Sequence, residues 1–115
     1  MSDLSDLTAR MRAFTNARDW DQFHDLKSLT LALTGEVGEV AELVQWLPAS
    51  SAREVTDERL KLRLGEELAD VLLYLVRLAD VAGVDLGDEA GRKLAKNEAR
   101  FPVEGYQGHA PERLG

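Results

Sequence analysis

Thr34-Gly-Glu-Val-Gly-Glu-Val-Ala-Glu-Leu-Val-Gln-Trp46 is the stretch whose reading decides the fold. With its flanks it places Leu29, Leu33, Glu36, Val40, Leu43 and Leu47 at alternating steps of four and three, the spacing of one packed face on an amphipathic helix. A glutamate, Glu36, takes the third slot of that apolar face. Glu39 follows three residues later and shares the face, because residues three apart stand one above the other on a helix.

The design recurs downstream. Leu60, Leu64, Glu67, Val71, Tyr74 and Leu78 repeat the spacing, Glu67 again takes the third slot, and Asp70 again follows at i+3. Two such helices packed together gather four acids. Four unpaired buried carboxylates are too costly to hold without a compensating charge. A hard divalent cation with oxygen ligands is the natural occupant. Di-iron bundles pair glutamates with a Glu-x-x-His motif. Here the second member of each pair is Glu39 or Asp70, and the only two histidines, His24 and His109, lie off both faces. All-oxygen ligation favours Mg²⁺ or Mn²⁺, and Mg²⁺ commonly also binds substrate phosphates. The bland alternative is that the acids pair with Lys61, Arg63, Arg77 or bases further on.

Outward from these helices the chain reads as all-α. A first helix spans about Leu4 to Ala17, with Leu7, Met11 and Phe14 on its apolar face and Ser2 or Ser5 as cap. Arg18-Asp-Trp-Asp-Gln-Phe-His24 joins it to the second helix, either as a core-plugging turn or as a ligand-facing loop. The second helix runs from about Leu26 to Leu47 and is stopped by Pro48. Gly35 and Gly38 inside it imply close approach to the backbone or tight helix packing. After a small-residue linker, Thr56 caps a third helix that ends at Gly83. Its second apolar face, Leu68, Leu72, Leu75 and Ala79, marks a central helix or a subunit interface. Asp85-Leu-Gly-Asp88 opens a fourth helix to about Ala99, on which Lys93, Lys96, Asn97 and Arg100 share a face that is solvated or functional. Residues 103–115 read as an irregular tail after a 1–102 domain.

With 115 residues the chain is one domain, and its net charge of −7 argues against broad contact with a nucleic-acid backbone. Without cysteine it has neither disulfides nor thiolate metal sites. No leader or membrane-spanning run is visible, so a cytoplasmic protein without membrane contact is expected.

Glu36-x-x-Glu39, followed after 27 intervening residues by Glu67-x-x-Asp70, resembles the motif of MazG-type all-α nucleoside triphosphate pyrophosphohydrolases. Arg18 to His24, Leu31 to Trp46, Glu66 to Leu75 and Lys93-x-x-x-Asn97-x-x-Arg-Phe-Pro102 are similar to the dCTP pyrophosphatase branch. The resemblance implies a four- to five-helix bundle completed by oligomerisation, as homodimer or homotetramer. It implies hydrolysis of a (deoxy)nucleoside triphosphate, dCTP-like, to monophosphate and pyrophosphate. By position, Glu36, Glu39, Glu67 and Asp70 then hold Mg²⁺ (or Mn²⁺), and Glu39 also orients the attacking water. Tyr74, Lys93, Asn97 and Arg100 face phosphates or sugar, and Trp20, His24 and Trp46 form the base pocket. Gly35 stands where the wider family has a further glutamate, and Met11 where some relatives have a base-contacting histidine. The rival reading is a non-catalytic oligomerisation or nucleotide-sensing module with a structural metal, which has no need of Asn97, Trp20 or Trp46.

Overall fold

A computed structural model of the chain describes residues 3–110. Every regular element among them is helical: α1 (Asp3–Ala17), a 3-10 turn (Asp21–Phe23), α2 (Leu26–Val44), a 3-10 turn (Ala49–Ser51), α3 (Glu58–Ala82), α4 (Leu86–Arg100) and α5 (Val103–Tyr106). No described helix is long and apolar enough to cross a membrane.

The helix ends follow from local chemistry. Asp25, in extended backbone, caps α2 by accepting the Ser28 N–H at 2.7 Å, a bond of a kind worth about 1 kcal/mol. That bond, before any other cause, holds the Asp25 carboxyl below its ordinary pKa. α2 stops at Val44, a turn short of the Leu47 expected from the apolar spacing. The backbone tightens past it, Leu47 N–H reaching the Val44 carbonyl at 3.1 Å, and the residue before a proline is disfavoured in helical backbone, so the helix does not carry through Leu47. The cap of α3 is Asp57 rather than Thr56; its carboxylate accepts the Arg59 N–H at 2.9 Å, and Asp outranks Thr in that role. Gly83 closes α3 with φ +72°, a left-handed turn that lets the Val84 N–H reach back to the Ala79 carbonyl at 2.8 Å. Asp85 caps α4 as its spacing implied, taking the Asp88 N–H. Ser5 lies inside α1 and so does not cap it, while Ser2 is outside the described residues. The four-residue α5 lies within the stretch read as irregular, preceded by Pro102 in extended backbone as its N-cap.

The chain forms two compact units, residues 1–84 and 85–115. In the first, α3 is the central helix, packed chiefly against α2 and then against α1. All twelve residues of the two spaced faces, from Leu29 to Leu47 and from Leu60 to Leu78, are buried or half-buried. Among the described residues the buried core is small: Thr15, Leu29, Val76, Arg77 and Ala79. The second apolar face of α3 is covered at Ala79 but open at Leu68 (50% exposed) and Leu72 (36%). In the second unit, Phe101 and Tyr106 meet edge to face with ring centres 5.1 Å apart.

Among the described residues, a methyl group added at Gly35 or Gly38 meets no atom within 4 Å beyond its own helical backbone. The described helices therefore do not explain them. Both have helical backbone. Gly38→Ala is expected to raise stability by about 0.5–1 kcal/mol, the helix-propensity difference, read from the shift in denaturant midpoint. A destabilised variant would show that a neighbour occupies that space.

Candidate active site

Because Glu36 and Glu67 hold matching slots on packed faces, they are brought together across the α2–α3 contact. One carboxylate oxygen from each of Glu36, Glu67 and Asp70 lies within 4.8 Å of the other two. Glu36 and Glu67 are half-buried, and one oxygen of each, Oε2, is shielded from solvent with no hydrogen-bond partner. Such atoms are costly unless a proton or a cation serves them. Glu67 is pushed up to about 7, first by a hydrogen bond shared with Glu39, then by desolvation and by the charges of Glu39, Asp70 and Glu36. Glu36 is raised too, by desolvation first and then by Glu39 and Asp70. Orphaned, electron-rich, all-oxygen donors at this spacing fit a hard divalent ion.

Glu39 is exposed, and it acts on both Glu36 and Glu67 through hydrogen bonding as well as through its charge. Arg77, one of the bases considered as partners for the acids, is spent elsewhere: it bonds Asp21 at 2.8 Å and Asp80 at 3.2 Å.

Beside the acids lies a cleft of about 720 Å³. Asp70 belongs to both. One turn further along α3, Tyr74 lines the cleft, as do Trp20 and His24 from the connecting segment. That segment is thus a cleft wall rather than a core plug: Trp20 is 44% exposed, its ring set edge-on to Phe14 at 5.6 Å. The positive φ of Asp19 (55°) turns the chain sharply just before it. The cleft gathers four of the residues singled out in the sequence. Trp46 is not among its lining; it sits 86% exposed in the turn after α2. Lys93, Asn97 and Arg100 lie on α4 in the second unit, Asn97 half-buried and the Arg100 guanidinium 5.0 Å from the centre of the Phe101 ring.

Leu7, Met11 and Phe14, read as an apolar core face of α1, line the cleft, together with Arg10. Helical spacing identifies a shared face but cannot tell whether that face meets protein or a cavity. The bonds from Arg77 to Asp21 and His24, by contrast, carry no sequence signal, since they join residues more than fifty positions apart.

Fold and site together define a class: a helical protein whose central helix pair presents clustered acids to an aromatic cleft, suited to a ligand that arrives with a divalent cation. The model of the MazG nucleotide pyrophosphohydrolase domain matches residues 24–103, and the chain belongs to that family. It is 43% identical over 108 residues to dCTP pyrophosphatase 1 of Bos taurus, covering 93% of this chain and 64% of that protein. The human protein of the same name is 43% identical over 101 residues, with 87% and 59% covered. The chain therefore spans somewhat less than two thirds of these curated relatives. Among solved structures, a crystal structure of a pyrophosphatase from Archaeoglobus fulgidus DSM 4304 superposes with a TM-score of 0.80 at 35% identity, covering 89% of this chain and 94% of that one.

The acid cluster has a testable pH signature. Folding raises the pKa of Glu67 from 4.5 to about 7. The folded state is then the tighter proton binder, so this stabilisation is full below pH 4.5 and lost as the pH rises through 7. Calorimetry in chelator should show Glu67→Gln gaining stability over the wild type as pH goes from 5 to 8. Comparing the two proteins cancels the opposite contribution of His24, whose pKa is lowered. A difference that stays constant with pH would refute the crowding of Glu67.

Proposed function

We propose that the protein hydrolyses (deoxy)nucleoside triphosphates, dCTP-like ones foremost, to nucleoside monophosphate and pyrophosphate, as a housekeeper of the cytoplasmic nucleotide pool. The observation that carries this is the acid trio opening through Asp70 onto a cleft walled by Trp20, His24 and Tyr74. The dCTP preference is drawn from the relatives that bear that name.

A triphosphate is strongly anionic, and so is this chain. Bringing one to the other needs a cation, which fits the vacant oxygen valences of Glu36 and Glu67. In this reading Glu36, Glu67 and Asp70 bind Mg²⁺, or Mn²⁺ in its place. A divalent ion there supplies charge neutralisation of the phosphates and a more acidic attacking water. Glu39 would complete the ligand set and orient the attacking water toward the α-phosphorus. A bond would form from the water oxygen to the α-phosphorus as the water gives up a proton to solvent, the bond to the α–β bridging oxygen would break, and pyrophosphate would leave. Trp20 offers its face to the base, and stacking on such a ring is typically worth about 1–3 kcal/mol. Tyr74 meets sugar or phosphate. Trp46 in the base pocket, and Lys93, Asn97 and Arg100 on the phosphates or sugar, are assigned by family likeness alone.

The test is a panel of triphosphates incubated with Mg²⁺ and resolved by product. Pyrophosphate plus monophosphate is expected, with dCTP preferred; orthophosphate plus diphosphate would sink the assignment of attack at the α-phosphorus. In the same assay Glu39→Gln should abolish nearly all turnover while leaving the metal-free protein as stable as wild type or more so, because a repelling charge is gone. Loss of stability with normal turnover would return Glu39 to a structural role.

We infer a homodimer or homotetramer as well, from the half-open apolar face of α3 at Leu68 and Leu72. Sedimentation at micromolar concentration should show an oligomer that Leu68→Glu weakens; a stable wild-type monomer would contradict it.

A further inference from the structure

His24 lines the cleft, and its chemistry there depends on which ring nitrogen carries the proton. Arg77 decides this. The residue is 6% exposed, and each of its three nitrogens is committed. Nε donates to His24 Nδ1 at 3.0 Å, Nη1 to Asp80 Oδ2 at 3.2 Å and Nη2 to Asp21 Oδ1 at 2.8 Å. Both carboxylates are themselves anchored. Fully buried Thr15 donates its hydroxyl to Asp21 at 3.0 Å, and Arg12 Nε donates to Asp80 at 3.1 Å. A guanidinium therefore sits clamped between α3 and the 3-10 turn, aimed at Nδ1.

A guanidinium has donors only, so Nδ1 must accept, and a neutral imidazole then carries its single proton on Nε2. The ring is also kept neutral: desolvation first, and the Arg77 charge second, lower the His24 pKa against the opposing pull of Asp21. With Nδ1 spent on Arg77, Nε2 is the polar atom His24 has left for a ligand.

We propose that Arg77 is a positioning residue: it locks His24 with its N–H at Nε2, so that the cleft offers a fixed hydrogen-bond donor and holds an acceptor atom of its ligand against it. On the nucleotide reading, on which this rests, that acceptor is a ring nitrogen or carbonyl oxygen of the base, such as N3 or O2 of cytosine. A base that turns an amino group toward Nε2 sets donor against donor and is disfavoured.

Two measurements test this. Long-range proton–nitrogen correlation on the labelled wild-type protein at pH 8, with His109→Gln to assign the signals, should show His24 protonated at Nε2 and unprotonated at Nδ1. A protonated Nδ1 would overturn the proposal, and this arm needs neither turnover nor an Arg77 variant. The second is steady-state kinetics with dCTP and Mg²⁺. His24→Leu should raise KM about tenfold, the scale of one lost hydrogen bond, with a smaller change in kcat. His24→Gln, which carries an amide N–H to about the reach of Nε2, should stay within about threefold of wild type. Equal KM values for the two variants would refute the donor role. Arg77→Met should raise KM in the wild type but scarcely alter it beside His24→Gln, whose amide needs no locking; additive effects would mark Arg77 as merely structural. Absence of hydrolysis of every triphosphate would instead overturn the functional reading, leaving the nitrogen spectrum to decide the role of Arg77.

Discussion

Two helices that meet through Glu36 and Glu67 cannot pack as an ordinary apolar pair. Above and below, leucines and valines close the contact as in any amphipathic helix pair; at the acids, like charges are pressed together and two oxygens lose water without gaining a donor. In a medium of low dielectric that arrangement is relieved only by a proton or by a cation. The upward displacement of Glu67 and Glu36 is the proton's answer. A divalent ion is the other answer, and it competes for the same oxygens, so metal affinity and proton affinity are linked at this point.

The same helix handles charge in the opposite way two turns later. Among the described residues Arg77 is as deeply buried as any ionised group, but it is matched by Asp21 and Asp80 and spends its remaining nitrogen on His24. Removing one partner of such a set typically costs about 3–5 kcal/mol, since a bare charge is left behind. Arg12 and Arg77 together hold the Asp80 carboxyl below its ordinary pKa. The contrast divides α3 by role. Its balanced end fixes α1 and the 3-10 turn against the helix and so builds the cleft wall; its unbalanced end leaves valence open for a ligand.

The helices and most of the acid site were legible beforehand for one reason. Steps of three and four mean the same thing in any helix, so Glu36, Glu67 and Asp70 could be placed on one face each before any packing was known. Caps were nearly as readable: besides Ser5, which fell inside α1, the slip of Thr56 for Asp57 came from two adjacent residues both able to accept a backbone N–H. The premature end of α2 was misjudged because the apolar spacing runs on to Leu47 while Pro48 already constrains the backbone ahead of it.

By itself, then, the sequence determined the all-helical architecture, the two matched acid faces and the family to which they belong, because each is written in short-range periodicity and in motifs a few residues long. Only the tertiary structure decided that the apolar face of α1 lines a cavity and that Arg77 turns to Asp21 and His24 rather than to the acid cluster. These depend on which distant residues the packing of α1 and the 3-10 turn on α3 brings within a few ångströms, and no local pattern encodes a contact made across fifty residues of chain.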